Sequence, residues 1–201
     1  MHPLIIGICG GTGAGKTTLT KKIIEQFGEQ QVSLIDTDSY YRDRSHVPLE
    51  KRHHFNFDHP DALEIPLLVS HLQSLKRGHS VEKQVYDFTT HIRKPETERV
   101  DPRAIIVVDG ILIFAIDAVC KLFDLRIFID EAPDIRLLRR LLRDVTERGR
   151  TIESVARQYL ETVRPMHFKY VEPSKAKADI VLNPGDSEQI VIKAIQRLIR
   201  G

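Results

Sequence analysis

The sequence predicts a three-layer α/β fold on a mostly parallel central sheet, and three observations carry that expectation. Short apolar runs at 4–9, 32–35, 104–108, 125–129 and 178–182 read as buried strands. Stretches of helical periodicity lie between most of them, the alternation that pairs strands in parallel through crossover helices. The first run ends in Gly10-Gly11-Thr12-Gly13-Ala14-Gly15-Lys16-Thr17, a G-x-x-x-x-G-K-[ST] pattern set between a strand and a helix, which makes the expected fold a P-loop NTPase fold.

The reason for that composition is steric. Glycines let a loop turn its backbone N–H groups inward, around a polyphosphate, with φ values that a side chain disfavours. The helix that starts near Gly15 adds unpaired N–H groups and the positive end of its dipole. Lys16 supplies a point charge for the β- and γ-phosphates, and the Thr17 hydroxyl suits Mg²⁺. Residues Gly10 to Thr17, with Thr18 behind them, are therefore the candidate ATP-binding set.

Length and composition bound the rest. A chain of 201 residues suits one α/β domain with a full core, and 41% hydrophobic with 29% charged residues is ordinary for a globular protein. A net charge of +2 gives no overall field for nucleic acid. The two cysteines, Cys9 and Cys120, read as reduced core residues. The glycine-rich loop begins within ten residues of Met1, which leaves no room for a signal peptide, and no apolar run approaches the ~20 residues that span a bilayer. The expectation is a soluble, cytoplasmic protein without membrane or nucleic-acid partners.

In chain order, the helix after the loop covers about 15–27, with Leu19, Ile23, Ile24 and Phe27 inward and Gly28 as its stop. The strand at 32–35 runs into Asp36-Thr37-Asp38-Ser39-Tyr40-Tyr41. Ligands of open parallel sheets sit beyond the carboxyl ends of the strands, so these carboxylates face the loop's edge, and an Asp there is a candidate base for an acceptor hydroxyl. A turn or helix cap explains an Asp there equally well, and position leaves both readings open.

Residues 42–60 form a polar loop rich in His and Arg that contains Asn56-Phe57-Asp58-His59-Pro60. The next helix carries Leu68, Leu72 and Leu75 on one face and ends at Gly78; it starts at Asp61, with Glu64 as a capping box, or at Pro66. Residues 81–100 read as two short strands, around 85–88 and 98–100, joined by His91-Ile92-Arg93-Lys94-Pro95, a small lobe on the sheet's edge.

The strand at 104–108 ends in Asp109, where a carboxylate can hold Mg²⁺ or its water; capping the next helix is the competing role. Residues 135–150 read as an amphipathic helix with Leu137, Leu138, Leu141, Leu142 and Val145 inward and Arg136, Arg139, Arg140 and Arg143 on the other side. With Arg148 and Arg150 this makes six arginines in fifteen residues, which suggests a lid over the transferring group; a solvated helix face and a nucleic-acid contact are the alternatives, and no aromatic interleaving supports the second. Asp144 and Glu147 only dilute that charge. A helix over 151–163 contains Gln158 and Tyr159 and is bounded by Pro165. After the strand at 178–182, Asn183-Pro184-Gly185 breaks the chain, and Ser187 opens a last helix with Ile190, Ala194, Leu198 and Ile199 inward. No repeat or linker divides residues 1–201, so one domain is expected, with the lobe at about 81–100 and the lid at about 136–163.

The strings GGTGAGKTT, TDSYYRD, NFDHPDA, VYDFTTHIRK, VVDGIL, RRLLRDVTERGR and VRPMHFKYVEPSK, in this order, resemble the uridine (uridine–cytidine) kinase family from Ile5 to Pro184. The resemblance implies ATP- and Mg²⁺-dependent phosphorylation of the 5′-hydroxyl of uridine and cytidine in pyrimidine salvage. It makes Asp38 the general base, Tyr41 a wall of the nucleoside pocket and Asp58 the acid that holds the ribose hydroxyls. It makes Tyr86 and His91 the pair that recognises the pyrimidine. Arg140, Arg150 and Gln158 become substrate contacts, Arg143 and Arg148 arginines near the phosphates, and Thr17 with Asp109 the metal side. Asp109 stands where many relatives carry Glu, and its shorter side chain reaches Mg²⁺ more readily through water. Relatives assemble as tetramers, which implies a homo-oligomer. Rival readings are a phosphoribulokinase or pantothenate kinase, which would not need Tyr86 and His91, and a nucleotide-driven switch, whose D-x-x-G and N-K-x-D stretches do not occur.

Overall fold

The strands run in chain order as β1 (Leu4–Gly10), β2 (Val32–Asp36), β3 (Val81–Asp87), β4 (Ile92–Val100), β5 (Ile105–Asp109), β6 (Leu125–Ile129) and β7 (Ile180–Leu182) in a computed structural model that describes residues 2–52 and 55–200. Five of them form one sheet in the order β2-β5-β1-β6-β7, and every pairing in it is parallel. β3 and β4 form a separate antiparallel hairpin. The helices are α1 (Lys16–Phe27), α2 (Leu49–Arg52), α3 (Ile65–Lys76), α4 (Asp117–Cys120), α5 (Pro133–Thr146), α6 (Ile152–Gln158), α7 (Arg164–Met166), α8 (Glu172–Ser174) and α9 (Gln189–Arg200).

β1 shows why the strands are apolar throughout. Its side chains alternate between two cores, as period 2 requires. Ile6 and Ile8 pack with Leu19 and Ile23 of α1 and with Val191, Ile192 and Ile195 of α9. Ile5 and Cys9 pack on the other side with Leu68, Leu72 and Leu75 of α3 and with Phe114 and Phe128. A sheet covered on both faces has no polar side, and burying each isoleucine is worth roughly 1.5–3 kcal/mol. Gly7 sits in the middle of this strand because a Cβ there would collide with the rings of Phe114 and Phe123. Both cysteines are buried and free. No helix among the described residues is long and apolar enough to cross a membrane.

α3 begins at Ile65, with Pro66 in its first turn, the second of the two starts the sequence left open, and Glu64 is drawn to Arg93 at 2.6 Å instead of forming a capping box. Four details differ from the sequence expectations. In the hairpin the turn lies at 88–91, and residues 92–95 belong to β4. Pro95 is tolerated there because the register shifts between Gln84 and Tyr86, a bulge that asks no ladder hydrogen bond of its nitrogen.

α5 is turned the opposite way from its apolar stripe. Arg136, Arg140 and Asp144 are buried, Leu137 and Leu141 are half-buried, and Leu138, Leu142 and Val145 are exposed. The inward side of this helix faces a polar cleft rather than a core, so its charged residues find partners inside. Pro165 does not end the helix at 163. The backbone stays helical through Lys177 by two π turns, Tyr159–Val163 and His167–Val171, which come just before Pro165 and Pro173. A wider turn gives each ring room where an α-helix would break. In α9 the inward residues are Val191, Ile192 and Ile195, while Ile190, Leu198 and Ile199 are exposed and Ala194 is half-buried.

Candidate functional site

The site lies at the carboxyl edge of the sheet, where β1, β5 and β2 end side by side. After β1 the chain enters the glycine-rich loop, and Gly13 and Gly15 adopt φ of 78° and 100°. A Cβ on Gly13 would also run into the carbonyl of Arg136, so α5 closes directly on the loop. Lys16 Nζ donates to the carbonyls of Gly10 and Gly11, each at 3.1 Å, which bends its side chain over the loop. Thr17 Oγ1 donates to Asp109 Oδ2 at 3.3 Å. The register explains that contact, because Ile8 pairs with Asp109 and Asp36 pairs with Asp109 from the other strand.

Asp38 is carried by a 3₁₀ turn, Thr37–Tyr40. Asp36 caps this turn, its Oδ1 accepting from Ser39 N at 2.9 Å and from Ser39 Oγ at 2.7 Å. Asp36 is thus the turn-forming acid of the pair, and Asp38 is aimed into the cleft. Asp38 keeps an opening to the cleft but is packed round by protein; burial raises its pKa, and the neighbouring Asp36 raises it further, against Arg148 and Lys16. The Tyr41 hydroxyl hydrogen-bonds to Asp38. Burial likewise raises Asp58 and Asp109, with Arg140 opposing it at Asp58 and Lys16 at Asp109.

Aromatic rings close the outer end. Tyr41 meets Phe57 and Tyr86 at ring separations of 5.2 Å each, Tyr86 meets Phe88 at 5.4 Å, and Phe57 stacks on His91 at 4.9 Å. His91 holds a left-handed backbone, φ 54°, in the hairpin turn, with its N–H donated to the Asp87 carbonyl at 2.8 Å. A side chain in that region is strained and is held there by its surroundings.

From the other side come the arginines. Arg140 Nη1 donates to Thr12 Oγ1 at 3.1 Å and Nη2 to Gln158 Oε1 at 2.8 Å, while Arg150 Nη1 reaches the same Gln158 oxygen at 2.5 Å. Arg148 lies over the Phe88 ring at 4.2 Å, so lid and hairpin touch across the cleft. Burial and neighbouring arginines pull the Arg148 pKa below its ordinary value, with Asp144 and Asp38 opposing.

One cleft of about 210 Å³ is lined by Lys16, Thr17, Asp38, Tyr41, Asp58, Tyr86, His91, Asp109, Arg140, Arg143, Arg148, Arg150 and Gln158, together with Thr12 and Gly13. Ala14, Gly15 and Thr18 line a neighbouring hollow with Arg139 and 183–186, and Gly10 and Gly11 face Lys16. Every side chain singled out from the sequence for catalysis, substrate or metal is therefore on this cleft. Sequence reasoning missed Phe57 and Phe88, which stand inside the quoted NFDHPDA and VYDFTTHIRK strings, and it missed Asp144 beneath the arginines.

Comparison with known proteins agrees with this arrangement. The family model described as "Phosphoribulokinase / Uridine kinase family" matches residues 5–191. The chain is 47% identical over 199 residues to a uridine kinase of Clostridium perfringens, covering 99% of this chain and 96% of that one. It is also 47% identical over 194 residues to a uridine kinase of Chloroflexus aurantiacus, with 96% and 93% covered. Among solved structures, a putative fructose transport system kinase from Silicibacter sp. TM1040 superimposes with a TM-score of 0.71 at 16% identity, over 90% of this chain and 89% of that one. At that identity the likeness speaks for the fold.

Proposed function

Because the chain belongs to the phosphoribulokinase/uridine kinase family, a family of P-loop kinases that use ATP, we propose that it phosphorylates the 5′-hydroxyl of uridine, and of cytidine, in pyrimidine salvage. The observation that carries this reading is a single cleft that joins the glycine-rich loop, Asp38 and an aromatic wall with a buried acid, Asp58. A pyrimidine fits among Tyr86, His91 and Phe57, and Asp58 can accept from two vicinal ribose hydroxyls. Asp38 then stands at the sugar's 5′ end. The second hollow, about 420 Å³ between α1, Arg139 and the 183–186 loop, suits the base of ATP.

Phosphoryl transfer needs positioning and charge stabilisation more than covalent help. Asp38 takes the proton of the 5′-hydroxyl as that oxygen attacks, and its raised pKa makes it a better base than an ordinary aspartate. Lys16, the loop amides, Arg143 and Arg148 spread the charge on the transferring group. Arg140, Arg150 and Gln158 orient the nucleoside. Thr17 and Asp109 offer two hard oxygen donors 3.3 Å apart, which fits Mg²⁺, an ion that takes its remaining ligands from phosphate and water. Bound there, Mg²⁺ would neutralise phosphate charge.

The whole chain acts as one kinase domain, with the hairpin as substrate lobe and 136–163 as lid, and it works in the cytoplasm. Ile135, Leu138, Leu142 and Val145 form an exposed apolar stripe on α5 that supports the homo-oligomer, a tetramer, that the family resemblance implies. An ADP-release assay with uridine, cytidine, adenosine, ribulose 5-phosphate and pantothenate side by side tests the activity. Turnover with uridine and cytidine alone is expected, and preference for either of the last two overturns the reading.

A further inference from the structure

α5 puts charge where a helix normally puts leucine, and that arrangement needs a counter-charge. The structure holds one at Asp144, which is 0% exposed and lies behind the cleft rather than on its wall. Its Oδ1 accepts from Arg143 at both Nε (3.0 Å) and Nη2 (2.8 Å), and Arg148 Nη1 approaches the same oxygen at 3.5 Å. Its Oδ2 faces Arg140 Nε at 3.5 Å and Arg150 Nη1 at 3.7 Å with no hydrogen bond to either, so on this side the attraction is one of charge. The Asp144 carbonyl also accepts from Arg150 N at 3.1 Å, which turns the chain beyond α5 back onto the cleft. One carboxylate therefore meets all four arginines that line the cleft, two on each oxygen.

Four guanidiniums this close repel one another, and each has a long, many-jointed side chain that is costly to hold in one place. A buried carboxylate eases both difficulties: Arg143 docks on it through Nε and Nη2 in a fixed orientation, and its charge draws the other three guanidiniums toward it. Building on the kinase reading, we propose that Asp144 is a positioning residue: it gathers Arg140, Arg143, Arg148 and Arg150 into the array that meets nucleoside and phosphate. Its two oxygens divide the work. Oδ1 holds the pair assigned to the phosphates, Arg143 and Arg148; Oδ2 faces the pair that shares Gln158, Arg140 and Arg150.

The test compares wild type with Asp144→Asn, which keeps the shape and removes the charge, and with Glu147→Gln, an exposed neighbouring acid, as control. Steady-state rates with uridine and ATP are taken below the melting temperature of each protein. For Asp144→Asn, kcat is expected to fall about 10- to 100-fold and the KM for uridine to rise about tenfold, while the KM for ATP, set by the loop and Lys16, moves less than about threefold. Glu147→Gln should match wild type. A folded Asp144→Asn whose only change is a lower melting temperature, with kcat and both KM values within about twofold of wild type, overturns the inference and leaves Asp144 structural. If Asp144→Asn does not fold, Asp144→Glu carries the test: a kcat at least about tenfold down supports positioning, and a wild-type kcat overturns it. A wild-type chain inactive on every nucleoside sinks the kinase reading and this inference together; active wild type with unimpaired variants sinks the inference alone.

Discussion

Lys83 Nζ lies 2.5 Å from Asp36 Oδ2, and this ion pair ties the hairpin to the turn that aims Asp38. Lys83 is nearly buried and also reaches Glu98 Oε2 at 3.1 Å. Burial alone would raise Asp36, but Lys83 and the Ser39 hydrogen bonds hold it below the usual carboxylate range. Asp36 is partly exposed, so solvent discounts the pair. Lys83→Met is expected to cost about 1–2 kcal/mol of stability in urea denaturation. The KM for uridine should rise about fivefold, because Tyr86 and His91 ride on the loosened hairpin, with the KM for ATP unchanged.

Asp38→Asn separates catalysis from stability. Turnover should fall by at least about 100-fold with ATP affinity held within about threefold; a loss under about tenfold removes Asp38 from the role of base. Stability should move the other way. Burial and Asp36 raise the folded-state pKa of Asp38 above its unfolded value. The stability linked to its proton is therefore complete below the ordinary carboxylate pKa and is lost as pH rises through the raised one. At neutral pH the charged Asp38 is a burden, and the Asn variant should melt higher than wild type. That advantage should vanish below the ordinary carboxylate pKa, which melts over a pH series will read. In wild type the acid limb of kcat should lie above the ordinary aspartate range.

His91→Gly probes a strained recognition residue. Glycine relieves the left-handed backbone by about 0.5–1 kcal/mol, which offsets the lost stacking on Phe57. Denaturation midpoints should stay close to wild type, and the KM for uridine should rise by about tenfold or more. Equal losses in stability and affinity would make His91 a packing residue.

Leu142 is 67% exposed on the outer side of α5. Leu142→Glu should change monomer stability by no more than about 0.5 kcal/mol, since it leaves no cavity. If the proposed homo-oligomer forms through α5, sedimentation should nonetheless report a smaller species than wild type; an unchanged species removes α5 from that role, and a monomeric wild type overturns the oligomer.

The layout of the sheet and the loop was legible because both rest on local rules. Continuous apolar runs mark strands covered on two faces, and the glycine spacing marks a backbone that must turn inward. The ends of β2 and β5 bring the acids of 36–38 and Asp109 to one edge by topology, while the choice of Asp38 over Asp36 comes from the family resemblance. What the sequence could not give was direction. The α5 pattern has an apolar stripe and a cationic one, and periodicity does not say which stripe faces inward when the inside is a charged cleft. Asp144 counted as dilution because its depth comes from tertiary packing. Phe57 and Phe88 read as loop and strand aromatics until the folded hairpin brought them beside Tyr41 and Tyr86.

The two wide π turns have a mechanical consequence. They let one unbroken rod run from Gln158, which receives Arg140 and Arg150, past Pro165 to Val171, which packs in the core beside the sheet, and on past Pro173. Such a rod would work as a lever with its fulcrum in the interior, so a tilt at Val171 would move Gln158 on the cleft wall. Replacing Pro165 or Pro173 would let the rod tighten to ordinary pitch, which rises further per residue than a π turn, so the rod would lengthen and carry Gln158 away from both arginines without altering any residue that lines the cleft.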